Sequence, residues 1–146
     1  MTEVQLRQAI LARWAEGWAA LHPSDVADPN YVPYTFENEV FAKDALGTLG
    51  AWARLEIKHS TREQATMGVP SKDDVRGLIF VQLFGPLGSG KTLLSTLADD
   101  VRTVLAKRRI DELNLRAGET RDPVEDDGHG WAMGLVVVRF RYQHNS

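Results

Sequence analysis

The sequence predicts an α+β fold, a mainly antiparallel sheet with two helices packed on it, in a single domain covering residues 1–146. Three observations carry that expectation. A length of 146 residues suits one hydrophobic core. Two segments repeat their apolar residues at spacings of three and four, the helical period. The remaining apolar segments alternate with polar residues or run apolar for several positions, as strands do.

The first helix opens at Thr2, which with Gln5 forms a capping-box pattern. Leu6, Ile10, Leu11, Trp14, Trp18 and Leu21 then make one apolar stripe, so Trp14 and Trp18 are expected in the core. His22-Pro23 ends it, because proline disfavours helical geometry in the residue before it. Residues 22–34 hold Pro23, Pro29 and Pro33 among Asp25, Asp28 and Asn30, the composition of an extended surface loop. Residues 35–37 read as a short strand and 38–50 as a polar, glycine-punctuated stretch.

Residues 51–58 alternate cleanly. Ala51, Ala53, Leu55 and Ile57 should face the core, with Trp52, Arg54, Glu56 and Lys58 on the other side. Residues 59–74 are mostly polar, with 64–68 a weak strand candidate. Residues 75–84 carry apolar side chains on both faces, which predicts a central strand covered on both sides. A glycine-rich turn over 85–90 leads into the second helix. There Leu93, Leu94, Leu97, Val101, Val104 and Leu105 form the stripe, and Lys107-Arg108-Arg109 suits a helix C-terminus. Residues 110–115 read as a strand, 116–130 as a charged loop and 131–142 as a long closing strand.

Composition narrows the function. Hydrophobic residues are 43% and charged residues 25% of the chain, ordinary values for a globular protein. Seventeen lysines and arginines against 20 acids give a formal charge of -3, which argues against a protein that coats polyanions over its whole surface. The absence of cysteine excludes disulfides, thiolate metal sites and cysteine nucleophiles. The first twenty residues include Glu3, Arg7, Arg13 and Glu16, and no apolar run reaches the roughly 20 residues a membrane helix needs, so no leader or membrane partner is expected.

One motif needs an argument. Gly85-Pro86-Leu87-Gly88-Ser89-Gly90-Lys91-Thr92 matches the phosphate-binding P-loop, in which glycines let backbone N–H groups wrap a phosphate, lysine neutralises charge and threonine holds Mg²⁺. A working P-loop sits on a parallel sheet, whose crossovers each need a dozen or more residues. Only about forty residues follow the second helix, with no third helical pattern and no strand ending in a magnesium-holding carboxylate. A glycine turn with Lys91 in solvent is the preferred reading, with a nucleotide-binding protein using Gly90, Lys91 and Thr92 as the alternative. His22, His59, His129 and His144 share no ligand spacing, and Asp122, Glu125, Asp126 and Asp127 lack the calcium-loop pattern. No metal, cofactor or catalytic residue is therefore expected.

A collinear series of short segments resembles the tail terminator family of long-tailed, lambda-like bacteriophages. The series comprises Thr35-Phe36-Glu37-Asn38, Trp52-Ala53-Arg54-Leu55-Glu56 and Gln64-Ala65-Thr66-Met67-Gly68. It continues through residues 76–90, Leu97-Ala98-Asp99 and the strand opening at Trp131. The resemblance implies a non-enzymatic virion protein at the head–tail junction, assembled in the host cytoplasm. Its partners would be further copies of itself in a hexameric ring, the major tail tube protein and a head-side connector, with DNA only as passing cargo. Another neck protein, for head closure or tail completion, is the neighbouring alternative. On the residues themselves, Trp52 on an otherwise charged strand face is either covered by a loop or part of an interface. Trp52, Arg54, Glu56 and Lys58 are accordingly the candidate subunit or tube interface.

Overall fold

A computed structural model describes residues 2–36, 46–47, 49–64, 72–87, 91–110, 113–124 and 131–145. The chain forms helix α1 (Glu3–Leu21), strands β1 (Tyr34–Phe36), β2 (Trp52–Gln64) and β3 (Lys72–Pro86), helix α2 (Lys91–Leu105), and strands β4 (Arg109–Ile110), β5 (Leu113–Val124) and β6 (Trp131–Asn145). The strands make one six-stranded sheet in the order β1-β2-β3-β6-β5-β4. The β1–β2 pair is parallel, and the other pairs are antiparallel. The predicted α+β class, with two helices on a mainly antiparallel sheet, is the observed one.

Thr2 caps α1 as its sequence requires. Its Oγ1 accepts from Gln5 N at 3.2 Å, while Gln5 Oε1 accepts from Thr2 N at 2.9 Å. Leu6, Ile10, Trp14 and Trp18 form the buried stripe. Trp14 and Trp18 stack with ring centres 4.5 Å apart, and Tyr34 of β1 meets Trp14 edge-on. Trp18 Nε1 donates to Val32 O at 3.0 Å, so the 22–34 segment is tied down rather than loose. His22 completes the tie: its Nδ1 lies 2.7 Å from Asn30 O, its Nε2 2.8 Å from Asp100 Oδ2, and its ring rests on Trp18. The sequence marked His22 only as a helix stop. In the structure it is a buried clasp between the loop and α2.

One face of the sheet carries the core. Ala53, Leu55 and Ile57 of β2, Val75, Ile79, Val81 and Leu83 of β3, and Ala132, Val136, Val138, Phe140 and Tyr142 of β6 join the stripes of both helices in one cluster. Glycine permits close helix approach in this layer. A Cβ on Gly17 of α1 would lie 2.7 Å from Val104 Cγ1 of α2. Burying side chains of this size yields about 1.5–3 kcal/mol each, which dominates the stability.

Several expected boundaries move. The polar stretch after residue 58 continues β2 to Gln64, and β3 begins at Lys72, so the two form one long hairpin. The predicted 116–130 loop is corrected likewise. Its first part is strand, because β5 runs to Val124 and pairs with β6. Backbone ladders hold these arms together without apolar alternation, so the side-chain pattern does not announce them. Of the strand expected over 110–115, Ile110 belongs to β4 and 113–115 to β5, while 65–71, 111–112 and 125–130 lie outside the described residues.

Candidate functional site

β3 is central, and among the described residues the helices cover only one of its faces. Val75, Ile79, Val81 and Leu83 are buried beneath the helices, while Leu78, Phe80 and Gln82 on the opposite face are only half-buried. The expectation of a strand covered on both sides is therefore corrected. Its apolar residues face two environments, and among the described residues neither helix lies on the second face.

Strand register assembles that second face. Trp52, Arg54, Glu56 and Lys58 of β2 stand opposite Phe84, Gln82, Phe80 and Leu78 of β3. On the far side of β3, Met133, Leu135, Val137 and Arg139 of β6 oppose the same four residues. Glu119 and Arg121 of β5 extend the row beyond β6. The face thus changes character along the strands. It is aromatic at the Trp52 end, mixed in the middle, where Arg54 and Glu56 stand beside Phe80, Leu135 and Val137, and charged beyond Leu78.

At the aromatic end Trp52 stacks on Phe84 with centres 4.2 Å apart and meets Trp131 edge-on at 6.0 Å. Trp52 is only 8% exposed, so it is covered within the chain rather than standing out as a lone surface ring. Among the described residues its ring contacts are Phe84 of β3 and Trp131 of β6. Arg54 and Glu56 remain half-buried. Lys58 stays open, with Nζ 3.5 Å from Glu56 Oε1 and 5.7 Å from the Phe80 ring centre. The structure places all four predicted interface residues on one face, with Trp52 as its anchored end. Sequence reading missed Phe80, Trp131, Met133 and Leu135, because β3 and β6 carry apolar residues on both faces and no alternation marks which side each one takes.

At the charged end Asp74 of β3 is 7% exposed. Its Oδ1 accepts from Arg141 Nε at 2.7 Å, and its Oδ2 lies 3.4 Å from Arg76 Nη2. The Arg141 hydrogen bond and the two neighbouring positive charges outweigh burial and hold its carboxyl below the ordinary value of 3.8.

The P-loop-like segment sits in different surroundings from those its motif needs. Gly85 and Pro86 end β3, and both neighbours of that strand, β2 and β6, run antiparallel to it. The described strand ends beside it present Trp52 and Trp131, not a carboxylate. Leu87 is exposed, and α2 starts at Lys91. Residues 88–90 and the Lys91 side chain lie outside the described residues. Among the described residues no group of three or more metal-ligating side chains occurs, and no helix is long and apolar enough to cross a membrane. His129, Glu125, Asp126 and Asp127 also lie outside the described residues.

No protein-family model and no curated protein matches the chain. Solved structures do match. One is similar over 100% of this chain and 99% of its own, with a TM-score of 0.67 and 16% sequence identity. At that identity the likeness shows the fold alone.

Proposed function

We propose that this chain is a ring-forming tail terminator of a long-tailed bacteriophage, which caps the tail tube at the head–tail junction. The observation that carries the reading is the sheet face without helices. β2, β3, β5 and β6 are strands of 12–15 residues. Four such strands make a surface about 15–20 Å wide and about 40–50 Å long. That is the scale of the roughly 800 Å² each partner contributes to a stable protein interface. Half-buried Phe80 and Leu135 near its middle, with Arg54, Glu56 and Lys58 at its rim, match an apolar centre inside a polar border.

The chemistry asked of such a protein is assembly alone. A growing tube presents unpaired strand edges, and a cap must occupy them to stop extension. In a closed ring each subunit offers two different surfaces, one to each neighbour. The sheet meets that need through its two unlike sides. Two-residue β4 covers a short part of β5, and three-residue β1 covers a short part of β2. The collinear resemblance to the terminator family supports the same reading, and the antiparallel neighbours of β3 speak against nucleotide chemistry at Gly85–Thr92.

Native mass spectrometry with negative-stain imaging tests the proposal. The wild-type protein should form a closed ring. Phe80→Asp places a charge in the middle of the uncovered face and should give monomers with an unchanged circular dichroism spectrum. A wild-type protein monomeric at high micromolar concentration, or a Phe80→Asp ring, would sink the reading.

A further inference from the structure

Beside the C-terminal end of α2 lies an open groove of about 890 Å³. Among the described residues its lining includes Arg76, Lys107, Arg116, Arg139 and Arg141 and one carboxylate, Glu119. In a chain of net charge -3 this is a strong local excess of positive charge. Three unusual features converge on it.

The first is Lys107, whose φ of 56° makes it the only non-glycine residue in the left-handed region among the described residues. It follows the end of α2, where glycine would hold this geometry without strain. Its N–H donates to Arg116 O at 3.0 Å, which fixes it against the groove wall. The second is a bulge in β5. Between Leu115 and Gly118 the strand spends one residue more than β6 opposite, and Arg116 and Ala117 of that segment line the groove. The third is the direct pairing of Arg76 with Arg141 across β3 and β6. Like charges face to face are unfavourable, and buried Asp74 bridges both guanidinium groups and steadies them.

The remaining charges leave the groove cationic. Arg139 Nη2 and Glu119 Oε1 are 3.6 Å apart, but both side chains are about two-thirds exposed, so water weakens the pair. Lys107 and Arg116 have no acidic partner among the described residues. The negative end of α2 is already occupied, because Arg108 donates to Thr103 O and Arg13 to Val104 O. Arg139 and Arg141 are two residues apart on β6, about 6.7 Å along the strand. Planar guanidinium groups spaced in this way suit successive phosphates.

We propose that this groove binds the phosphate groups of a linear polyanion, through Arg76, Lys107, Arg116, Arg139 and Arg141. The ligand chemistry is shared by a nucleic-acid backbone and inorganic polyphosphate. The proposal concerns the single subunit and does not depend on ring formation.

Fluorescence anisotropy with labelled single-stranded DNA, and competition by inorganic tripolyphosphate, test it on the full chain. With five cations engaged, log K against log salt should fall with a slope of about -3.5 for single strands. Lys107→Gly/Arg116→Gln should weaken binding at least about tenfold at low salt and flatten the slope by about 1.4. Arg7→Gln, on α1 and outside the groove lining, should change affinity less than about twofold. Because Lys107→Gly relieves the left-handed backbone, the double variant should keep the wild-type melting curve. Binding of DNA that the double variant loses identifies a backbone phosphate as ligand, and binding of tripolyphosphate alone identifies a free one. Binding of neither probe, or equal binding by the double variant, overturns the proposal. Equally tight displacement by polyglutamate also overturns it, in favour of an acidic protein partner.

Discussion

Replacing Gly77 with alanine should cost far more than the same change at Gly134, although both glycines lie on the helix side of neighbouring central strands. A Cβ at Gly77 would stand 2.3 Å from Phe140 Cζ and 2.4 Å from Lys58 O. The second distance involves backbone, so the β2–β3 ladder itself must shift. Overpacking costs about 1–3 kcal/mol, and a clash with backbone belongs at the top of that range. Alanine recovers about 0.4–1 kcal/mol by restricting the unfolded chain, leaving a net loss of about 2 kcal/mol. Unfolding entropy of about 2.1 cal/mol/K per residue turns this into a fall in Tm of about 7 °C for a chain of this length. At Gly134 the nearest atoms are Leu94 Cβ at 3.6 Å and Leu83 Cβ at 3.9 Å, ordinary contacts. Gly134→Ala should therefore leave Tm unchanged or raise it by up to about 3 °C. Calorimetric melts of the two variants beside wild type check the pair. A Gly77→Ala protein melting within about 2 °C of wild type would refute the packing argument, as would equal losses at both sites.

Asp74 makes stability depend on pH. Its folded carboxyl titrates below the ordinary 3.8, so its contribution is fully present above that value and fades as pH falls through the depressed folded pKa. Asp74→Asn should lose about 2 kcal/mol near neutrality, the scale of hydrogen bonds to charged groups. In urea melts the gap from wild type should shrink in acid, and a gap constant from pH 7 to pH 3 would contradict the assignment. Trp52→Ala should destabilise the isolated chain by about 3 kcal/mol, because it removes the ring that Phe84 and Trp131 enclose. Trp52→Phe should cost about 1 kcal/mol. If Trp52→Ala melts like wild type, the ring serves only contacts between subunits.

The parts of this fold legible from sequence are those whose side chains meet one environment per face. The α1 stripe, the α2 stripe and the alternation of residues 51–58 each reported burial directly, whereas the apolar run through β3 announced a central strand but not that its two faces differ. The hairpin arms did not. From His59 to Gln64 every residue is polar, and from Arg116 to Val124 the apolar residues fall without alternation, so strand pairing and not a side-chain pattern marks these arms. The bulge after Leu115 also breaks whatever alternation β5 had. Trp52 shows a second limit. Its strand and side were read correctly, but Phe84 and Trp131 reach it only through register with β3, and no local pattern announces that. The cationic groove is less legible still. Its five cations come from β3, the turn after α2, β5 and β6, and each alone looks like a solvated surface charge.

The tryptophans fall into two pairs on opposite sides of the sheet. Trp14 and Trp18 stack inside the helical layer, while Trp52 and Trp131 meet edge-to-face on the uncovered side. The molecule thus carries two built-in optical reporters separated by a layer of backbone. With Trp52 and Trp131 changed to phenylalanine, emission follows the docking of α1 alone. The reciprocal variant watches only the surface offered to a partner, so folding and assembly become separately visible in one chain.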